Sequence, residues 1–282
     1  MYGKRWIVPT GVLVVATASA LTGLTIYGGS TYGDRGGSSV PQVVRPTGAA
    51  EGRFIVHEWG TFTSFSGSNG VKLEFRPLQD TDLPPFVLNR PRQAGQFNPF
   101  SKATMPVLAR METPVTYFYS DRPREVNVRV EFPRGLLTEF FPPVAAMKPE
   151  YKTGAEPIGD SELDWGRVWI LPAESIGVDV ENRELAGRMR EQMLPRLPPP
   201  SDGNDHYAFA RRTDSALVYV EKEADPNLPF APHGGWFEKF LFYRGVGNFE
   251  LPIELTAQAG GEFQLANHGA QPIRSLFLVT VE

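Results

Sequence analysis

The sequence predicts an all-β fold: an antiparallel β-sandwich of about ten strands with long loops and one short helix. Three observations carry this. Between 126 and 132, Val126, Val128, Val130 and Phe132 fall on one face of a strand, while Asn127, Arg129 and Glu131 fall on the other. Gly (28) and Pro (26) are abundant, as a fold with many turns requires. Past residue 50, helical spacing shows in a single stretch, 182–194, where Leu185, Met189 and Met193 recur every fourth residue before Pro195.

The remaining strands follow from the same period. Segments 71–75 and 262–265 alternate as 126–132 does. Segment 251–255 alternates too, but Pro252 has no N–H to give a ladder, which assigns it to a sheet edge. Segments 113–119, 167–171, 216–220, 239–243 and 276–281 read as strands buried on both faces. The turn residues Asn267 to Pro272 are expected to join two neighbouring strands. Two segments break the rhythm. Residues 77–110 carry five prolines between 84 and 106 together with Phe86, Phe97 and Phe100, and 194–205 carries Pro198, Pro199 and Pro200. Long irregular insertions of this kind are where binding loops occur.

The N-terminus has a different composition. Lys4 and Arg5 precede an uncharged run, 6–28, that includes Val12, Leu13, Val14, Val15, Leu24 and Ile26. As a helix, about 20 such residues cross a bilayer with the positive end in the cytoplasm. Segment 1–29 is therefore expected to be a helical signal peptide, cut after Ala20 at the small-residue pattern Ala18-Ser19-Ala20, or an uncleaved membrane anchor. Segment 30–52 has the Gly, Ser and Pro content of a flexible linker, and 53–282 would be the sandwich domain. The expected location is periplasmic or extracellular, with membrane contact only through 6–28 if the run is retained.

Composition removes several classes of function. A net charge of −4 without a basic block argues against nucleic acid, and the densest basic spot, Arg211 and Arg212, reads as a solvated strand end. There is no cysteine, which excludes thiolate metal sites, iron–sulfur clusters and thiol nucleophiles. Nothing implies a cofactor. The chain has no nucleophile elbow, zincin helix or phosphate loop: His57-Glu58 is followed by Trp59-Gly60, and Gly245-Val246-Gly247 lacks a third glycine.

Four groups of residues remain as candidates. His57 and Glu58 could serve as base, acid or ligand. As neighbours on a strand they point to opposite faces, and the plain alternative gives them structural hydrogen bonds beside a core Trp59 and Phe62. Glu112 stands where a long loop enters a strand, and Tyr117 and Tyr119 share a face as a flat stacking platform; a salt bridge and core tyrosines are the plain alternative. His206 follows the proline-rich loop, and with His57 and Glu112 would give two nitrogens and one oxygen for a zinc-like ion, if the three meet. Arg244 and Asn248 flank two glycines and could bind an anion or a sugar hydroxyl, against the alternative of a satisfied hairpin.

The segments 56–63 (VHEWGTFT), 111–119 (METPVTYFY) and 238–249 (EKFLFYRGVGNF) resemble a group of exported bacterial proteins without an assigned activity. The resemblance covers roughly 53–282 and implies an extracytoplasmic location; it carries over no functional residue. The leading expectation is thus an exported, non-catalytic sandwich. It would bind a carbohydrate, a peptide or a cell-envelope protein through Phe86, Phe97 and Phe100. The rivals are a hydrolase, metal-assisted or not, built on His57, Glu58, Glu112 and His206, and a structural envelope protein.

Overall fold

The computed structural model describes residues 11–17, 23–28, 53–67, 69–76, 83–94, 105–151, 158–172, 197, 206–221, 235–259, 262–270 and 275–281, with backbone only for the first two runs. The expected helix at 182–194, the linker 30–52, the Ala18-Ser19-Ala20 pattern, Phe97 and Phe100 lie outside the described residues.

The antiparallel β-fold is present. Three long strands form its centre: β3 (Phe54–Ser66), β7 (Arg124–Phe141) and β9 (Gly159–Leu171). Around them lie β1 (Gly11–Thr17), β2 (Gly23–Gly28), β4 (Lys72–Leu73), β5 (Leu88–Asn89), β6 (Ala109–Ser120), β8 (Ala146–Lys148), β10 (Leu217–Val220), β11 (Trp236–Glu238), β12 (Leu241–Gly247) and β15 (Ser275–Val281). These thirteen make one sheet in the order β11-β10-β9-β7-β12-β6-β3-β1-β15, with β2 and β5 on β7, β4 on β3 and β8 on β9. A separate hairpin pairs β13 (Ile253–Ala257) with β14 (Phe263–Asn267). The described helices are single turns, α1 (Arg90–Gln93) and α2 (His206–Ala210).

Strand β7 shows how the sequence pattern becomes packing. In its first half Val126, Val128, Val130 and Phe132 are buried while Asn127 and Glu131 are exposed, because one face meets the core and the other meets water. At Arg134 the backbone turns left-handed (φ 59°), and from Gly135 onward both faces are buried, with β12 paired along one edge and β5 at Glu139 and Phe140 along the other. The glycines of β12 permit this approach. A Cβ on Gly245 would stand 2.8 Å from the Leu136 carbonyl oxygen and 2.9 Å from the Phe132 ring.

Proline placement follows the same logic. The ladders of β6 with β3 and with β12 both slip by one residue around Thr113-Pro114, so the residue without an N–H sits at a bulge. The sheet also curls: Ala216 N–H, just before β10, donates to the Phe118 carbonyl of β6 at 2.7 Å, four strands away in the sheet order. Phe118, Phe132, Phe140, Phe141, Trp165 and Tyr243 are fully buried within the fold.

Three expectations are corrected. The described parts of the apolar N-terminal run are strands, β1 between β3 and β15 and β2 along β7. Among the described residues no helix is long and apolar enough to cross a membrane, so the transmembrane helix is withdrawn. The physical reason is composition. Val12, Val14, Val15, Thr17, Thr25 and Ile26 are β-branched, and Gly11, Gly23 and Gly28 punctuate them, which suits a ladder better than a helix. Second, Asn267 to Pro272 does not join neighbouring strands, because β14 belongs to the hairpin and β15 to the large sheet. Third, β15 is not buried on both faces, since Phe277 and Val279 are exposed.

Candidate functional site

A cavity opens on the face of β3, β6 and β12 that carries Trp59, Val115, Tyr117, Phe242 and Arg244, with α2 lying over it. Register explains the grouping. Trp59 pairs with Val115, and Val115 with Phe242, and directly paired residues share a face. The cavity measures about 350 Å³ and is completed by Leu83, Tyr207, Phe209, Ala210 and Phe240, within the size range of small-ligand pockets. Trp59 (47% exposed) and Phe209 (60% exposed) stand at its rim, whereas Tyr207, Phe240 and Phe242 are buried.

The covering turn α2 is held by three ties. The Tyr117 hydroxyl donates to the Ala210 carbonyl at 2.9 Å, and the Tyr119 hydroxyl lies 3.3 Å from Thr213 Oγ1 in the turn that follows. Burial, with Tyr119 and Glu238 nearby, pushes the Tyr117 phenol up to about 12, so it remains a donor at any ordinary pH. The third tie is ionic. Arg211 grips the fully buried Glu238 through Nε (2.9 Å to Oε1) and a terminal nitrogen (2.6 Å to Oε2). Burial raises the Glu238 carboxyl above its ordinary value, and the Arg211 guanidinium opposes that rise. Arg211 also lies over the rings of Phe86 and Tyr207. Reading it as a solvated strand end is therefore wrong: a carboxylate enclosed by aromatic residues draws it inward.

The candidate residues distribute as follows. Tyr117 and Arg244 line the cavity. His57 lies exposed opposite Tyr117, while Glu58, on the other face, accepts a hydrogen bond from Tyr243 Oη at 2.5 Å. Trp59, expected in the core with Phe62, is on the opposite face from buried Phe62, as an odd spacing on a strand demands. Glu112 pairs with Arg110 at 2.8 Å. Because Glu112 faces Thr61 across the ladder, it lies about 13 Å along the strand from His57, too far for one coordination sphere. His206 opens α2, and its side chain lies outside the described atoms. Among the described residues no group of three or more His, Asp or Glu is placed to hold a metal. The trio His57, Glu112 and His206 is thus not assembled.

Phe86 is not an exposed loop aromatic. It is buried, its ring centre 4.8 Å from that of Phe141 and 5.2 Å from that of Tyr207. Tyr119 is a tie for α2 and does not line the cavity. Asn248 lies past the end of β12, where its backbone N–H donates to the Arg134 carbonyl at 3.0 Å. It does not line the cavity that holds Arg244.

The sequence reading missed Tyr207, Phe209, Glu238 and Arg211 as a group. A signal was available, since Glu238 and Lys239 stand together between Phe237 and Phe240 in an otherwise apolar run, and charges there need buried partners. Among the described residues lining the cavity there is no carboxylate, imidazole or aliphatic hydroxyl. The arrangement can hold an apolar or aromatic group away from water. Comparison with known protein families, curated proteins and solved structures finds no match to this chain.

Proposed function

We propose that this chain is a non-catalytic binding protein that takes an aromatic or aliphatic side chain of a peptide or protein partner into the cavity beneath α2. One observation carries the reading: a cavity of about 350 Å³ walled by Tyr117, Tyr207, Phe240 and Phe242, with exposed Trp59 and Phe209 at its mouth. Buried aromatic walls ringed by large exposed aromatics are the usual form of an interface hot spot. A carbohydrate fits less well, because sugar hydroxyls need more polar partners than Tyr117 Oη and Arg244 supply. The curl of the sheet, which returns β10 to β6, supports a sandwich in which two parts of the sheet face each other. The resemblance carried by 56–63, 111–119 and 238–249 supports action outside the cytoplasm.

Saturation-transfer NMR on the full chain tests this, using capped dipeptides with Phe, Trp, Leu or Ser and a set of neutral oligosaccharides. The expected result is transfer to Phe, Trp and Leu side chains, lost in Ala210→Phe, whose ring fills the cavity. Equal transfer to the Ser peptide, or binding unaffected by Ala210→Phe, would overturn it. Transfer confined to oligosaccharides would move the site to sugar binding.

A further inference from the structure

One charged side chain enters the wall of the cavity beneath α2. Arg244 is 3% exposed and lines it, and among the described lining residues it alone carries a charge. Its guanidinium carbon stands 5.6 Å from the centre of the Phe242 ring, so the cation adjoins an aromatic wall within the reach of a single amino-acid residue. Glu139 stands opposite Arg244 across the β7–β12 ladder, and Thr138 Oγ1 donates to Glu139 Oε2 at 2.6 Å. A guanidinium presents its N–H donors as a planar fork, and one fork can serve that carboxylate and another together. A cation in an otherwise apolar cavity selects ligands that bring an anion with their apolar part.

Register sets the order of groups along the cavity. Successive residues on one face of a strand are about 7 Å apart. Arg244 stands one such step beyond Phe242, which pairs with Val115, and Val115 pairs with Trp59. In the other direction come Tyr117 and Phe240, with ring centres 5.6 Å apart, and then a strip of β3. His57 pairs there with Tyr117, and Ile55 with Tyr119. Ile55, His57 and Trp59 are all exposed on that face, Ile55 at 39%. The cavity thus has a cationic end, an aromatic middle and, away from the cation, an open strip with apolar residues at both ends.

On the reading of this cavity as a side-chain pocket, on which the inference rests, we propose that it receives the C-terminal residue of a peptide or protein partner. The terminal carboxylate lies on the Arg244 guanidinium. The apolar side chain of that residue lies among Tyr117, Phe240 and Phe242, and the preceding residues run out over Trp59 and Ile55. A chain end carries a carboxylate and a side chain on one Cα, whereas an internal residue has an uncharged amide in that place. A free aryl or alkyl acid supplies the same two groups but leaves the β3 strip uncovered. The strip is what favours a chain.

Calorimetric titration of the full chain tests this with three probes: acetyl-Ala-Ala-Phe as the free acid, the same tripeptide as its C-terminal amide, and phenylpropionic acid. The tripeptide acid is expected to bind about tenfold to a hundredfold tighter than the amide, the range of hydrogen bonds to charged groups, and tighter than phenylpropionic acid. In Arg244→Gln the tripeptide acid should fall to the level of the amide. Equal binding of acid and amide to wild type, or an acid preference kept in Arg244→Gln, would overturn the carboxylate contact and leave the side-chain pocket standing. No binding of either tripeptide would overturn both readings. Phenylpropionic acid bound as tightly as the tripeptide acid would overturn the chain end in favour of a free acid. Circular dichroism checks that Arg244→Gln folds. If it does not, the Arg244 Nε–H signal in the NMR spectrum of wild type decides: it should shift with the acid and not with the amide, and an equal response to both would overturn the contact.

Discussion

Arg211 and Glu238 form a forked ion pair under the candidate site: Glu238 is fully buried, and both of its oxygens are within 2.9 Å of an Arg211 nitrogen. The pair joins β11 to the turn after α2. The Lys239 backbone N–H gives Oε1 a further bond at 2.7 Å, so the carboxylate is held from two elements. Removing one partner leaves the other charge enclosed and uncompensated. Arg211→Met should cost about 3–5 kcal/mol of unfolding free energy in a urea titration. The double variant Arg211→Met with Glu238→Leu should recover most of that loss. A single variant as stable as wild type would show that the pair does not hold α2 in place.

The same carboxyl gives the fold a pH signature. Burial is the largest influence on Glu238 and raises it above its ordinary 4.5, with Arg211 pulling the other way. The folded chain therefore holds this proton more tightly than the unfolded chain does. Its contribution favours folding below 4.5 and is lost as pH rises through the raised folded value. The stability of wild type minus that of Glu238→Gln should accordingly fall as pH increases above 4.5 and then level off. A difference that rises across the window would mean that Arg211 outweighs burial and holds the carboxylate charged.

The glycines of β12 make a graded test of close packing. At Gly245 the obstacle to a Cβ includes a backbone carbonyl, Leu136 O at 2.8 Å; at Gly247 the nearest atoms belong to the Phe249 ring, at 2.4 and 2.6 Å. A carbonyl in a ladder cannot move without breaking its bonds, whereas a ring can shift. Gly245→Ala is expected to lose about 1–3 kcal/mol in thermal or urea unfolding, as overpacked sites do, and Gly247→Ala less. The reverse order would mean that the sheet yields more easily than the Phe249 ring.

Much of the sheet was legible because alternation is a local property: Val126 to Phe132 gives the core face of β7 from seven residues. The candidate site was legible only in part. Tyr117 and Arg244 were found from their strands, but the cavity needs α2, and nothing in the spacing of 206–210 reveals that Tyr207 turns in while Phe209 turns out. The apolar run at 6–28 shows the limit from the other side. Hydropathy alone does not separate a helix in lipid from strands within a sheet, and the β-branched content of the run was the cue that favoured strands. Phe86 failed for a similar reason, since an aromatic in a proline-rich loop can cover a core as well as a ligand.

Tyr207 and Phe209 lie two residues apart on α2 and should separate packing from binding. The Tyr207 ring is buried, with centres 5.2 Å from Phe86, 5.0 Å from Phe240 and 5.5 Å from Phe242, and the Arg211 guanidinium lies over it. Tyr207→Ala removes that contact layer and is expected to cost about 3–5 kcal/mol. Phe209 is mostly exposed and lies beneath Arg212, at 4.5 Å. Phe209→Ala should change unfolding free energy by no more than about 0.5 kcal/mol. The same variant should weaken aromatic-peptide binding about tenfold or more, since a rim aromatic that shields a pocket from water contributes at that scale. If Phe209→Ala binds as wild type does, the rim takes no part in recognition. The cavity beneath α2 would then be a packing defect of the fold, filled by no partner.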